Sequence, residues 1–304
     1  MRIDAHVHVF PPWLVSKRAP YLERDLTFHQ LYSDPKAAMS SAGELLDSMD
    51  RSGIDKSVLV NIGWASADLC RETNTYILEA ASASPDRLIP FCSVNPLAGT
   101  EAKEEIDRCA GLGARGIGEL HPDTQGFDLA DPVIMAPVMQ AAQRHGLPVL
   151  THASEPVGHA YAGKGQVTPQ ILFRFITNFP DNDIVCAHWG GGLPFYALMP
   201  EVRRALANVS FDTAASPFLY EPAVFTTVTR LLGVEKILFG TDFPLIKQER
   251  ILKQVAGADL DEHDKAKILG GNAARLLRLD EGSDGPLPVR RDTGAMGLGE
   301  RTRR

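Results

Sequence analysis

Eight short apolar runs, each followed by a longer stretch with helical periodicity, constrain this chain more than any other feature. They are "RIDAHVHV" (2–9), "KSVLVNI" (56–62), "RLIPFCSV" (87–94), "ARGIGEL" (114–120), "LPVLTHA" (147–153), "DIVCAHW" (183–189), "VSFDTA" (209–214) and "KILFGTD" (236–242). Strands alternating with helices build right-handed βαβ units and a parallel sheet. Eight such units predict an α/β chain folded as a single (β/α)8 TIM barrel over residues 1–279. The intervening segments agree. In "AAMSSAGELLDSMDRSG", Leu45, Leu46 and Met49 form one apolar stripe, and Gly53 stands where a helix C-cap belongs. A doubly wound open sheet would need a glycine-rich turn after its first strand. "GLGARG" (111–116) has that spacing but precedes a strand, so it reads as a helix stop and a turn. Residues 280–304, rich in Gly, Pro and Arg with few large apolar side chains, read as a disordered tail.

In a barrel of this kind the chemistry sits at the C-terminal ends of the strands. The runs place there His6 and His8, Glu119 followed by His121, then His152, His188 and Asp242. His-x-His alone favours the plainer reading of two polar residues closing an ordinary strand. Five strands that all end in His, Asp or Glu point instead to one shared site. Imidazole and carboxylate donors without a thiolate suit Zn²⁺, Mn²⁺ or Fe²⁺. The candidate ligands are His6, His8, Glu119, His152, His188 and Asp242. Asp242 is placed to carry a proton and His188 to polarise substrate. Asp4, on the strand face of the two histidines if alternation holds, is expected to be buried with a polar partner.

The formal net charge of −7 argues against nucleic acid or an anionic membrane as partner. No apolar run approaches the roughly 20 residues of a membrane span. With no basic and apolar leader at Met1, a cytoplasmic protein is expected. Cys70, Cys92, Cys109 and Cys186 show no C-x-x-C spacing and read as structural thiols.

Several of these segments carry a family resemblance. "DAHVH" (4–8), "LTHASEP" (150–156), "CAHWGG" (186–191) and "LFGTDFP" (238–244) resemble the amidohydrolase superfamily, within it the amidohydrolase-related, aminocarboxymuconate-semialdehyde decarboxylase-like family. The resemblance implies a metal-dependent barrel of hydrolase type, often with zinc, with ligands His6, His8, His152 and Asp242 and with His188 in catalysis. "GIGELHP" (116–122) departs from the decarboxylase branch and resembles TatD-like members, in which the strand-four glutamate bridges two metals. One ion is favoured, with two as the alternative.

The substrate side is expected from loops after the strands. His121, together with His159, Tyr161 and Lys164 in "SEPVGHAYAGKGQVTP", are the candidate substrate-binding residues. The glycines of "HWGGGLP" (188–194) suggest either N–H groups offered to an oxyanion at a helix start or a chain turning closely past the site. The leading reading is a hydrolase of a small carboxylated or cyclic amide, ester or lactone through metal-activated water. The alternative is a non-oxidative decarboxylase (carboxy-lyase) of an aromatic or unsaturated acid. A catalytically idle barrel is disfavoured by the full ligand set. Only a small-molecule partner is expected, and a homo-oligomer is compatible with the sequence.

Overall fold

The computed structural model describes residues 1–279; the segment expected as a tail lies outside them. Eight parallel strands follow one another around a single sheet: β1 Ile3–Val7, β2 Lys56–Leu59, β3 Leu88–Cys92, β4 Gly116–Leu120, β5 Val149–Thr151, β6 Ile184–Cys186, β7 Val209–Asp212 and β8 Ile237–Leu238. Every neighbouring pair is parallel, each joined through helical segments on the outside, as the eight runs predicted. The result is a nearly closed (β/α)8 barrel.

The helices follow their sequence signals. Ala42–Ser52 begins with a capping box in which the Ser41 hydroxyl accepts from the Glu44 N–H and the Glu44 carboxylate accepts from the Ser41 N–H. It ends at Gly53 in the left-handed conformation. Its Leu45 and Met49 are fully buried against Leu59, Phe239 and Ile251. Burying each such side chain contributes roughly 1.5–3 kcal/mol. Inside the barrel, Ile3, Ala5, Val58, Val60, Phe91, Leu150, Val185 and Leu238 make a second core, closed from below by Ala273 and Leu277.

Closure relies on the chain just after β8. Ala5 N–H donates to Phe239 O at 2.7 Å, Asp242 N–H to His6 O at 2.9 Å and His8 N–H to Phe243 O at 2.7 Å. Asp4 locks this seam. Fully buried, it accepts from the Thr241 N–H at 3.0 Å, the Thr241 hydroxyl at 2.7 Å and the Gln248 amide at 2.9 Å. Strict alternation does not hold along β1, because its register on β2 shifts between Asp4 and Val7. Asp4 therefore meets Thr241 and the outer helix Gln248–Gly257 instead of joining the two histidines. Removing its carboxylate strands these buried donors. Asp4→Ala should cost on the order of 3 kcal/mol, read as a lower urea midpoint at unchanged m-value.

Candidate metal centre

Five of the eight strand ends deliver their polar residues to one place. His6 on β1, His8 just beyond it, Glu119 on β4, His121 and His152 after β4 and β5, His188 after β6 and Asp242 after β8 are all buried. Glu119, 1% exposed, is their centre. Its Oε2 lies 3.5 Å from His6 Nε2, 3.6 Å from His8 Nε2 and 3.0 Å from His121 Nε2. Its Oε1 lies 3.1 Å from His152 Nδ1 and 3.4 Å from His188 Nε2. Asp242 Oδ1 stands 3.3 Å from His8 Nε2. Gly118 makes this placement sterically feasible. At φ +130° its position brings β4 so near β5 that a Cβ there would stand 2.3 Å from Leu150 O.

Three histidines are oriented in the same way. His6 Nδ1 meets Asp212 Oδ2 at 2.8 Å, His8 Nδ1 meets Val60 O at 3.0 Å and His188 Nδ1 meets Ala214 O at 3.2 Å. Carboxylate and carbonyl oxygens only accept, so each Nδ1 carries a hydrogen, and a ring that gives up its second proton turns an Nε2 lone pair into the site. The Nε2 atoms of His6 and His8 then face each other at 3.1 Å. Two lone pairs at that separation need a cation between them, either a proton or a metal ion. The donors fall into two overlapping groups, His6–His8–Glu119 and Glu119–His152–His188, each with its atoms within 4.8 Å of one another. The set fits a divalent cation with nitrogen and oxygen ligands.

Beside this polar end opens a cavity of about 490 Å³ walled by Leu31, Tyr32, Ile62, Phe218, Leu219 and Leu245. His121, His159 and Tyr161 also line it, and Tyr161 donates to Glu155 at 3.0 Å. Lys164 does not line it. Its ammonium donates to Val157 O at 2.8 Å and His159 O at 3.0 Å, satisfying carbonyls of its own loop. Among the described residues lining the cavity there is no lysine or arginine. The glycines after His188 do not open a regular helix. His188, Trp189, Gly190, Gly191 and Gly192 run consecutively at positive φ, a left-handed turn. A Cβ on Gly191 would lie 2.3 Å from Ser154 O, so the chain does turn closely past the site.

Sequence reasoning missed one contributor. Asp212 ends β7 and holds the outer nitrogen of His6, although "VSFDTA" closes on an acid in the same way as the ligand-bearing runs. Tyr32, from the long aromatic segment expected after the first strand to shape the pocket, lines the cavity and belongs to an aromatic cluster with Phe10 and Phe28. That cluster comes from irregular helices after β1, where spacing gives little signal.

The amidohydrolase family model matches residues 3–279. A γ-resorcylate decarboxylase of Polaromonas sp. strain JS666 is 24% identical over 255 residues, which covers 70% of this chain and 77% of the relative. The crystal structure of 5-carboxyvanillate decarboxylase from Sphingomonas paucimobilis superposes with a TM-score of 0.75 at 21% identity, covering 91% of this chain and 98% of that one. The enzyme of that name from Novosphingobium aromaticivorans, complexed with manganese and 4-hydroxy-3-methoxy-5-nitrobenzoic acid, gives 0.76 at 20% identity, covering 91% and 96%. At these identities the structural likeness establishes the shared barrel.

Electrostatics tie the site to pH. Burial alone would raise Glu119, but His121 and His6 beside it hold the carboxyl well below its usual range. Burial lowers His6 and His188, and the neighbouring carboxylates outweigh it. Asp212 and Glu119 hold His6 well above its usual value, and Glu119 brings His188 to about 9. His152 is lowered, burial dominating. Without metal, the His188–Glu119 pairing therefore stabilises the fold fully below pH 6.5, and that contribution is lost as pH rises through about 9. Ion and protons compete for the same nitrogens. Affinity for a divalent ion should fall as pH drops below about 9. Uptake near neutral pH should release at least one proton per ion, measured calorimetrically in two buffers of different ionisation enthalpy.

Proposed function

The chain belongs to the amidohydrolase family, and from that premise we propose that it is a metal-dependent, non-oxidative decarboxylase of an aromatic carboxylic acid. The observation that carries this reading is the cavity itself, an apolar slot whose inner end is a cluster of imidazoles and carboxylates. The similarity to γ-resorcylate and 5-carboxyvanillate decarboxylases supports it over hydrolysis, the leading expectation from sequence.

His6, His8, His152 and Asp242 would hold the ion, with His188 beside them. A bound divalent cation supplies a positive charge that draws in a carboxylate and an adjacent oxygen and stabilises the charge developing on them. Solved relatives with bound manganese make Mn²⁺ the ion to load first, ahead of the zinc expected from sequence. The remaining steps belong to the protein. Leu31, Phe218 and Leu219 take the ring's faces and exclude water. His8 beside Asp242 outweighs burial and keeps that carboxyl ionised, ready to accept a proton from the substrate's acidic group. Asp242 then returns the proton to the ring carbon bearing the carboxylate. The C–C bond breaks, CO₂ leaves and the bonding pair restores the aromatic ring.

Tyr32 orients the ring. Burial and the nearby Asp242 and Glu119 charges push its phenol up, so it stays a donor. Its hydroxyl is left for a substrate oxygen. Tyr32→Phe should raise KM for a hydroxybenzoate about tenfold with little change in kcat, the loss of one hydrogen bond of about 1.4 kcal/mol.

A second reading has its own support. Glu119 turns one oxygen to each donor group, as a carboxylate bridging two ions would, an arrangement suited to hydrolysis. Both readings are tested on manganese-loaded protein by following CO₂ release from 2,6-dihydroxybenzoate and related hydroxybenzoates, with ions per chain counted in wild type and Glu119→Ala. CO₂ release with one ion per chain supports the decarboxylase. Two ions falling to one in Glu119→Ala, with acid released from lactones or amides and no CO₂, overturns it in favour of the hydrolase.

A further inference from the structure

We infer that Asp212, at the end of β7, which itself supplies no candidate ligand, is the positioning residue of the metal centre: it fixes the His6 tautomer and, with its other oxygen, the placement of His188. The inference rests on the metal-centre reading above and goes beyond it by assigning a role to β7.

Asp212 is fully buried and divides its two oxygens between two tasks. Oδ2 accepts from His6 Nδ1 at 2.8 Å. Oδ1 accepts from the backbone N–H of His188 at 2.9 Å and of Ala214 at 3.0 Å. Ala214 in turn offers its carbonyl to His188 Nδ1 at 3.2 Å. One short segment, 212–214, thus sets the ring of His6 directly and both the backbone and ring of His188. The backbone contact has a particular purpose. His188 and Trp189 adopt φ of +55° and +57°, a conformation that costs L-residues roughly 1–2 kcal/mol each. The Asp212 bond to the His188 N–H and the Trp189 indole bond to Ser216 Oγ at 2.8 Å hold that turn in place.

The tautomer follows from acceptor chemistry. A carboxylate opposite His6 Nδ1 can only accept, so the hydrogen stays on Nδ1 and the Nε2 lone pair points at Glu119 and His8. An asparagine of the same shape can keep its oxygen on the His188 and Ala214 amides. It must then present its NH₂ to His6 Nδ1. The neutral ring answers by moving its hydrogen to Nε2, into the position an ion needs. Asp212→Asn is therefore expected to leave the fold intact while spoiling one ligand, whereas Asp212→Ala also releases the left-handed turn.

The experiment measures Mn²⁺ and Zn²⁺ affinity by chelator competition in wild type and Asp212→Asn, with circular dichroism as the check on fold. Affinity should fall about 10- to 100-fold at unchanged secondary structure. In zinc-loaded wild type, ¹⁵N-resolved imidazole spectra should show the His6 hydrogen on Nδ1. That second measurement needs no variant and so decides the matter even if Asp212→Asn does not fold. Affinity within twofold of wild type in a folded Asp212→Asn, or a His6 hydrogen on Nε2 in the zinc-loaded wild type, overturns the inference. A wild type that binds neither ion overturns the metal-centre reading instead, so the two failures are distinguishable.

Discussion

Everything at the mouth of this barrel is arranged around one buried carboxylate. Glu119 lies within 3.6 Å of five imidazoles, contributed by β1, β4, β5 and β6 and the residues that follow them. An anion with no water around it is costly unless positive charge or donors surround it. Here the histidines can supply that charge only by staying protonated or by sharing a cation. His121 and His152 can each donate a ring N–H to Glu119 when neutral, but the facing Nε2 atoms of His6 and His8 leave the site incomplete without a proton or a metal ion between them. Its demand for positive charge explains both the raised His6 and His188 and the inward lone pairs that a metal ion would use.

The fold was legible because it rests on periodicity. Eight apolar runs and the capping signals between them are local, and a parallel barrel arranges them in chain order. Most of the site was legible for a related reason. His6, His8, Glu119, His152, His188 and Asp242 each follow an apolar run, so position in the run stands in for position in space. Where local pattern stopped reporting on space, sequence reasoning failed. A register shift inside β1 turned Asp4 away from the histidines toward Thr241, 237 positions along the chain. Lys164 had the right loop and the right charge, but its ammonium was consumed by backbone carbonyls. Asp212 carried the right residue type at the right strand end, yet its role depends on which nitrogen of a ring 206 positions away carries a hydrogen.

Strain is concentrated at the same place. Outside the glycines, five described residues hold positive φ; Arg278 lies past the last helix, and the other four, His188, Trp189, Ala215 and Asp242, lie on the loops after β6, β7 and β8. Such conformations persist where surrounding contacts over-determine them. The contacts that do so here are largely those that aim the donors: Asp212 on the His188 amide, His6 O on the Asp242 amide, and Ser216 on Trp189.

The seam between the first and last strands carries one more implication. β8 is two residues long, and the barrel closes through residues 239–243, the segment on which Asp242 rides. His6 and His8 sit on the opposite edge of that seam. An ion shared among the three would act as a clasp across the join between the two ends of the sheet. Opening the barrel along that line would mean releasing the ion. Occupancy of the site and the slowest hydrogen exchange in the first strand would then rise and fall together, making the cofactor a part of the architecture as much as of the chemistry.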